Sequence, residues 1–443
     1  MSMHVRAGWL SVTAVSLVSV AVWAQPGNPF AADLAQFRRE FMAVEKSYAS
    51  ADRAAAERRL AALEAGLATI TPAQFELEIA RIVALADNGH SNVVAVGRSR
   101  RHNRVPIRLV PFIGDFYVLR ARDAHADLLG ARLLSVDAQP VAKLRELAHS
   151  LTGGSASFRD RSAPLFFESP QLLQAAGAAR KAEEATYVFE LNGKRVERRL
   201  IAEPPDPSAP ALSVARMLYP DPGSEEGAGW RGLLAPATAP WSLQDAAVRF
   251  RWRHDSDLRA MVVELRQNRS TPGHDIGEFQ SQLQRELRAR KPQHLVLDMR
   301  MNGGGDLTTT RAFMQSLPAL VPGRIFVLTS PWTFSAAISS IGYLKQAVPD
   351  RVTIIGEEVG DRLVFWSEGR PLTLERSGIV ISRATERHDY ATGCKPYKDC
   401  HGNVVRHPIS VRSLEPDTAA PWTIDVYRAG RDPAMSAVER LLK

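Results

Sequence analysis

Two cysteines among 443 residues are too few for a four-ligand zinc site or an iron-sulfur cluster, and no HExxH run supplies the ligands of a metalloprotease. His401 and His407 stand close together, but no supporting ligand set accompanies them. A dense basic helix is also missing. Lys and Arg outnumber Asp and Glu by 56 to 48, and the excess is spread along the chain, so nothing marks a nucleic-acid partner. The local strip of Arg98, Arg100, Arg101 and Arg104 reads as a solvated loop. Beyond the first 24 residues no apolar run is long enough to cross a membrane. What remains, at 45% apolar and 23% charged, is an ordinary globular composition with length for two or three domains.

The N-terminus has the order of an export signal: a basic MSMHVR, the apolar WLSVTAVSLVSVAVWA, then QPGNP. Val22 and Ala24 are the small residues expected before a cleavage point, which defines residues 1–24 as a signal peptide. The mature chain is then expected to be periplasmic or secreted, without stable membrane insertion. In such an oxidising compartment Cys394 and Cys400, in GCKPYKDC, are expected to close a small disulfide loop rather than remain free thiols.

Three textures follow. Residues 25–88 read as amphipathic helices: Leu34, Phe37, Phe41 and Val44 recur at three or four residues, and Thr71 with Pro72 forms a helix start. Residues 89–205 are β-rich, with a hairpin turning at Asn192 and Gly193. The stretch 202–243 holds PPDPSAP, PDPGSEEG and PATAP, which makes residues 206–243 a linker or long surface loop. From 244 to 443 a strand pair leads into alternating helices and strands, the pattern of an α/β layer with a partly parallel sheet. Sites in such sheets lie beyond the carboxyl ends of the strands.

The first such end is LVLDMRMNGGGD, where Gly303, Gly304 and Gly305 can expose backbone amides, as a tight turn or as an anion cradle; it is neither a GxGxxG fingerprint nor a P-loop. The second is VLTSPWTFSAAISS. Ser335 falls where a strand hands over to a helix, a position suited either to a nucleophile or to a capping serine. Ser330, Thr333, Ser339 and Ser340 compete with it. His90, in LADNGHSNVVAVG, lies between a helix and a strand and is a candidate base.

In this order, GHS at 89–91, LVLDMRMNGGGD, TFSAA at 333–337 and IIGEEVG at 354–360 resemble the S41 peptidases, the tail-specific and tricorn-like serine proteases. The resemblance implies a catalytic α/β layer of the ClpP/crotonase-like type and acyl transfer to peptide or protein substrates without a cofactor or metal. It makes Ser335 the nucleophile and the amides of Gly304 and Ala336 the oxyanion donors. Where the tail-specific branch carries its lysine base this chain has Gly360, Asp361 and Arg362, and Lys345 lies within the helix that follows Ser335. The likeness is therefore to the histidine branch, with His90 as base. Asp399, in KDCHGNVVRHPISV, is the candidate orienting carboxylate, and Glu357, Glu358, Asp361 and Glu386 are the alternatives. Residues 105–141 are similar to a shortened PDZ-like module. A catalytically inactive peptide-binding protein on the same fold is the competing reading, an esterase or amidase a third; a homo-oligomer is compatible with either of the first two.

Overall fold

The computed structural model describes residues 28–221, 226–395 and 399–443; the expected signal peptide lies outside them. The helical entry region begins with Pro29–Phe37, which runs into a wider turn at Arg38–Met42, and continues through Ser50–Ala65 and Pro72–Ala84. Thr71 and Gln74 cap the last of these reciprocally, each side chain taking the other's backbone N–H. That helix buries Phe75, Leu77, Ile79, Ile82 and Val83, the largest apolar contribution of the entry region.

The middle region is an antiparallel sheet in the order Ile107–Phe112, Asp115–Arg122, Arg132–Val136, Glu184–Leu191, Lys194–Ile201. Asn192 and Gly193, both at positive φ, turn the last hairpin. The proline-rich stretch is more than a linker. Its strand Trp230–Gly232 joins the edge of Asp115–Arg122, and Val214, Met217, Leu218, Leu234 and Leu243 are buried against Trp422 and Tyr427. It is a strap packed between the two bodies.

The final region is a sheet of six strands, ordered Thr418–Ala419, Val352–Gly356, Ile325–Thr329, His294–Asp298, Ala260–Leu265, Phe250–Asp255. All pairs are parallel except the last. The apolar runs Leu295–Leu297 and Ile325–Leu328 are wholly buried, as strands covered on both faces require. Helices Ile276–Arg290, Thr308–Leu320 and Ala336–Ala347 supply the crossovers.

One segment crosses the boundary that the sequence suggests. After Val364–Glu368, which pairs with Ala384–Asp389, the chain returns to the entry region: Val380–Ser382 pairs with Asn92–Val93 on one side and Leu372–Thr373 on the other. Leu372, Leu374, Ile379 and Ile381 are buried in the N-terminal core. Asp33 fixes the turn by accepting from the amides of Arg376 and Ser377 at 2.8 and 2.7 Å. No helix among the described residues is long and apolar enough to cross a membrane.

Candidate active site

Ser335 stands at the carboxyl end of Ile325–Thr329, as the residue preceding helix Ala336–Ala347. Its backbone has φ 57° and ψ −127°, a conformation that a side-chain-bearing residue adopts only under strain, and one that thrusts the side chain out of a strand-to-helix turn. The competing hydroxyls are all buried and engaged. Ser330 donates to Arg300 O, Thr333 to Met299 O at 2.9 Å and Ser339 to Ala336 O at 2.8 Å. Ser340 bonds Asn268, Thr310 and Ala336 O. Ser335 is partly exposed and makes no side-chain hydrogen bond among the described residues.

The glycine turn lies flush against it. A Cβ on Gly304 would fall 2.6 Å from Ser335 Cβ, 2.8 Å from Phe334 O and 3.0 Å from Ala336 N, and Gly304 has φ 95°. Two buried asparagines lock the turns together. Asn302 takes the Gly304 amide on Oδ1 at 2.9 Å and gives its Nδ2 hydrogens to Leu265 O and Asn268 Oδ1, both at 2.9 Å. Asn268 donates to Ala336 O at 2.8 Å and Ser340 Oγ at 2.7 Å. Of the two amides expected to face an oxyanion, the Gly304 N–H is taken up by Asn302, whereas Ala336, at the start of its helix, has an amide with no intrahelical acceptor. Asn302 stands beside the glycines in sequence, but nothing in the sequence singles out Asn268.

His90 reaches this place from the turn after Pro72–Ala84. Its ring lies between Phe334, at 4.3 Å between centroids, and Phe365, at 4.8 Å and 8°. The stack continues through His388 to His401, at 4.9 and 5.1 Å. His388 is fixed in turn by Glu368 Oε1 at 3.1 Å and Tyr390 OH at 3.0 Å.

The carboxylate facing His90 is Asp361, whose Oδ2 lies 3.1 Å from Nδ1. Its Oδ1 accepts from the Arg362 amide at 2.8 Å, and the side chain is 3% exposed. The contact is off-line, and both buried ring nitrogens lack a hydrogen-bond partner. Asp399 is elsewhere, 3.2 Å from Lys46 Nζ on the surface with 39% of its side chain exposed. Its displacement has a physical reason: the backbone at 399–401 pairs with Arg387, and its neighbour Cys400 is tied to Cys394 in a disulfide. Glu357, half-buried and accepting from Trp422 N at 3.5 Å, has its pKa pushed up by desolvation to about 7. Lys345 is held at the far end of its helix by Val352 O at 3.0 Å.

A cleft of about 400 Å³, lined by His90, Gly303, Phe334 and Trp332, opens beside the serine turn. A larger groove, about 1010 Å³, runs between helices Ser50–Ala65 and Pro72–Ala84 and contains none of these residues. Its charges are largely paired, Arg59 and Arg81 with Glu78 and Arg159 with Asp87. Chemistry rather than size therefore selects the smaller cleft.

No protein-family model matches the chain, and neither does any curated protein. Among solved structures, a photosystem II D1 C-terminal processing protease matches at 14% identity over 93% of this chain and 99% of its own, with a TM-score of 0.37. A Bacteroides fragilis protein named as an S41 protease matches at 12% identity over 92% and 96%, TM-score 0.35. A Streptococcus agalactiae lipoprotein matches at 12% identity over 44% and 70%, TM-score 0.28.

Proposed function

We propose that the chain is an exported serine peptidase of the S41 type that hydrolyses peptide bonds through an acyl-enzyme on Ser335. The observation that carries this reading is the strained backbone of Ser335, whose hydroxyl is unengaged while every neighbouring hydroxyl of the run is satisfied. Strain of this kind persists only where the surroundings impose it.

In the proposed reaction His90 Nε2 takes the Ser335 proton as Oγ bonds to the carbonyl carbon. Asp361, whose Oδ2 lies 3.1 Å from Nδ1, stabilises the imidazolium that forms; it takes over the role that the sequence reading gave to Asp399. The negative charge on the carbonyl oxygen meets the Ala336 amide and the positive end of its helix. His90 then returns the proton to the leaving amine as the carbon–nitrogen bond breaks. Water, deprotonated by the same nitrogen, releases the acid and restores the hydroxyl.

The competing reading, a peptide-binding protein without catalysis, draws on one feature: His90 Nε2 has no hydrogen bond to Ser335. Labelling with a fluorophosphonate, read by mass spectrometry, separates the two. A peptidase gives one adduct on Ser335, absent in Ser335→Ala and slowed in His90→Ala. An intact chain that stays unlabelled while a control hydrolase reacts refutes the peptidase reading.

A further inference from the structure

Among the described residues, the His90 cleft is lined by one permanent cation. Arg161 lies near the end of helix Ala156–Ser162, one turn after Phe158 and on the same face. Its guanidinium sits over the Phe158 ring at 3.9 Å and over Phe334 at 4.7 Å, so it belongs to the same stack that holds His90. Its only hydrogen bond among the described residues goes to Pro331 O, at 3.2 Å.

The neighbouring arginines are treated differently. Arg145 is paired with Asp160, Arg159 with Asp87 and Arg362 with Asp87. Arg161 has no carboxylate within ion-pair distance among the described residues, and its burial lowers its pKa to about 9, with Asp361 acting in the opposite direction from farther away. Arg161 is half-buried, and a partly desolvated guanidinium without a counter-ion is less favourable than a paired one unless something else supplies the negative charge. The wall of the cleft does not supply it: among the described residues Asn92, Thr152, Ser162, Ser213 and Ser382 carry its hydroxyl and amide groups besides His90 and Arg161, and it holds no aspartate or glutamate. A planar fork of donors over an aromatic floor, open to a cleft of ligand size, is suited to a carboxylate.

We propose that Arg161 is the specificity determinant of this cleft and binds a carboxylate of the peptide, either an acidic side chain near the scissile bond or a free C-terminus. The proposal rests on the peptidase reading only in taking the ligand to be a peptide.

The test uses the full chain in two forms. Ser335→Ala protein is titrated by fluorescence anisotropy with alanine hexapeptides carrying one Glu, or one Gln, at each position in turn, each with a free and an amidated C-terminus. At one position at least, Glu should bind about tenfold or more tighter than Gln, or the free acid than the amide; the first result identifies a side-chain carboxylate, the second a terminal one. Raising the salt should shrink the difference. In the Arg161→Met background the difference should vanish, and Arg161→Lys should restore part of it. Equal binding of Glu, Gln, free-acid and amide peptides to protein that retains Arg161 overturns the proposal, and this comparison needs no substituted arginine to fold. Cleavage by the unsubstituted chain is scored separately. Turnover without charge preference sinks the carboxylate site and leaves the peptidase reading standing; charge-selective binding without turnover does the reverse.

Discussion

Replacing Gly304 by alanine tests whether the glycine turn shapes the serine. The added methyl would stand 2.6 Å from Ser335 Cβ and 2.8 Å from Phe334 O, well inside contact distance, and residue 304 would be held at φ 95°. The backbone contribution is about 1–3 kcal/mol, and overpacking adds about 1–3 kcal/mol more. At about 2 °C per kcal/mol for a chain of this size, the melting temperature should fall by about 4–12 °C. The chemistry should suffer more. If the crowding is relieved by moving Ser335 a few tenths of an ångström to an ångström, reactivity falls by up to about a hundredfold. The assay pairs the fluorophosphonate labelling rate with thermal melting, and Gly303→Ala is the stability control, because a Cβ there meets nothing within 4 Å. Labelling and melting at unsubstituted values in Gly304→Ala would refute the argument, as would equal destabilisation by the two substitutions.

Asp361→Asn should slow labelling of Ser335 by about a hundredfold or more, whereas Asp399→Asn, which breaks only the exposed pair with Lys46, should change stability by less than about 1 kcal/mol and leave labelling unaltered. Replacing Cys394 and Cys400 by serine should lower stability by about 2 kcal/mol for so short a loop, measured by urea unfolding without reductant. Glu76 is buried against Arg98, Arg101 and His102 at 2.9–3.0 Å. Burial raises its pKa, but His102 and Arg98 outweigh that and hold it well below the ordinary 4.5. Its contribution is thus complete above about that pH and drains away as acid approaches the lower folded value. Glu76→Gln should cost about 3–5 kcal/mol at neutral pH and flatten that part of the acid unfolding curve.

Much of the fold is legible in the sequence because its signals are local: apolar runs for the covered strands of the six-stranded sheet, Thr71 and Pro72 for a helix start, Asn192 and Gly193 for a hairpin turn. The hydroxyl run at 330–340 is only partly decided locally: Ser339 is satisfied within its own helix by Ala336 O, but Ser330 and Thr333 donate to Arg300 O and Met299 O, just before the glycine turn, and Ser340 meets Asn268, far away in sequence. Asp361 stands where the sequence pattern directs a search for a lysine. It reaches His90 because Gly360 packs its bare Cα against Pro331 O and donates to Thr333 O at 2.9 Å, an approach that only tertiary contact reveals. The strap at 206–243 is obscured by its prolines, which exclude ladder positions but not burial.

The return of residues 372–382 to the entry region has a consequence for biogenesis. Ile381 lies opposite Val93 in the three-stranded sheet, so the N-terminal core has a wall that the ribosome delivers almost three hundred residues later. Contacts of that span are slow to close and leave an open sheet edge while they wait. The N-terminal half cannot mature as it emerges; it must be kept from aggregating until the six-stranded layer has been made and has threaded its hairpin back.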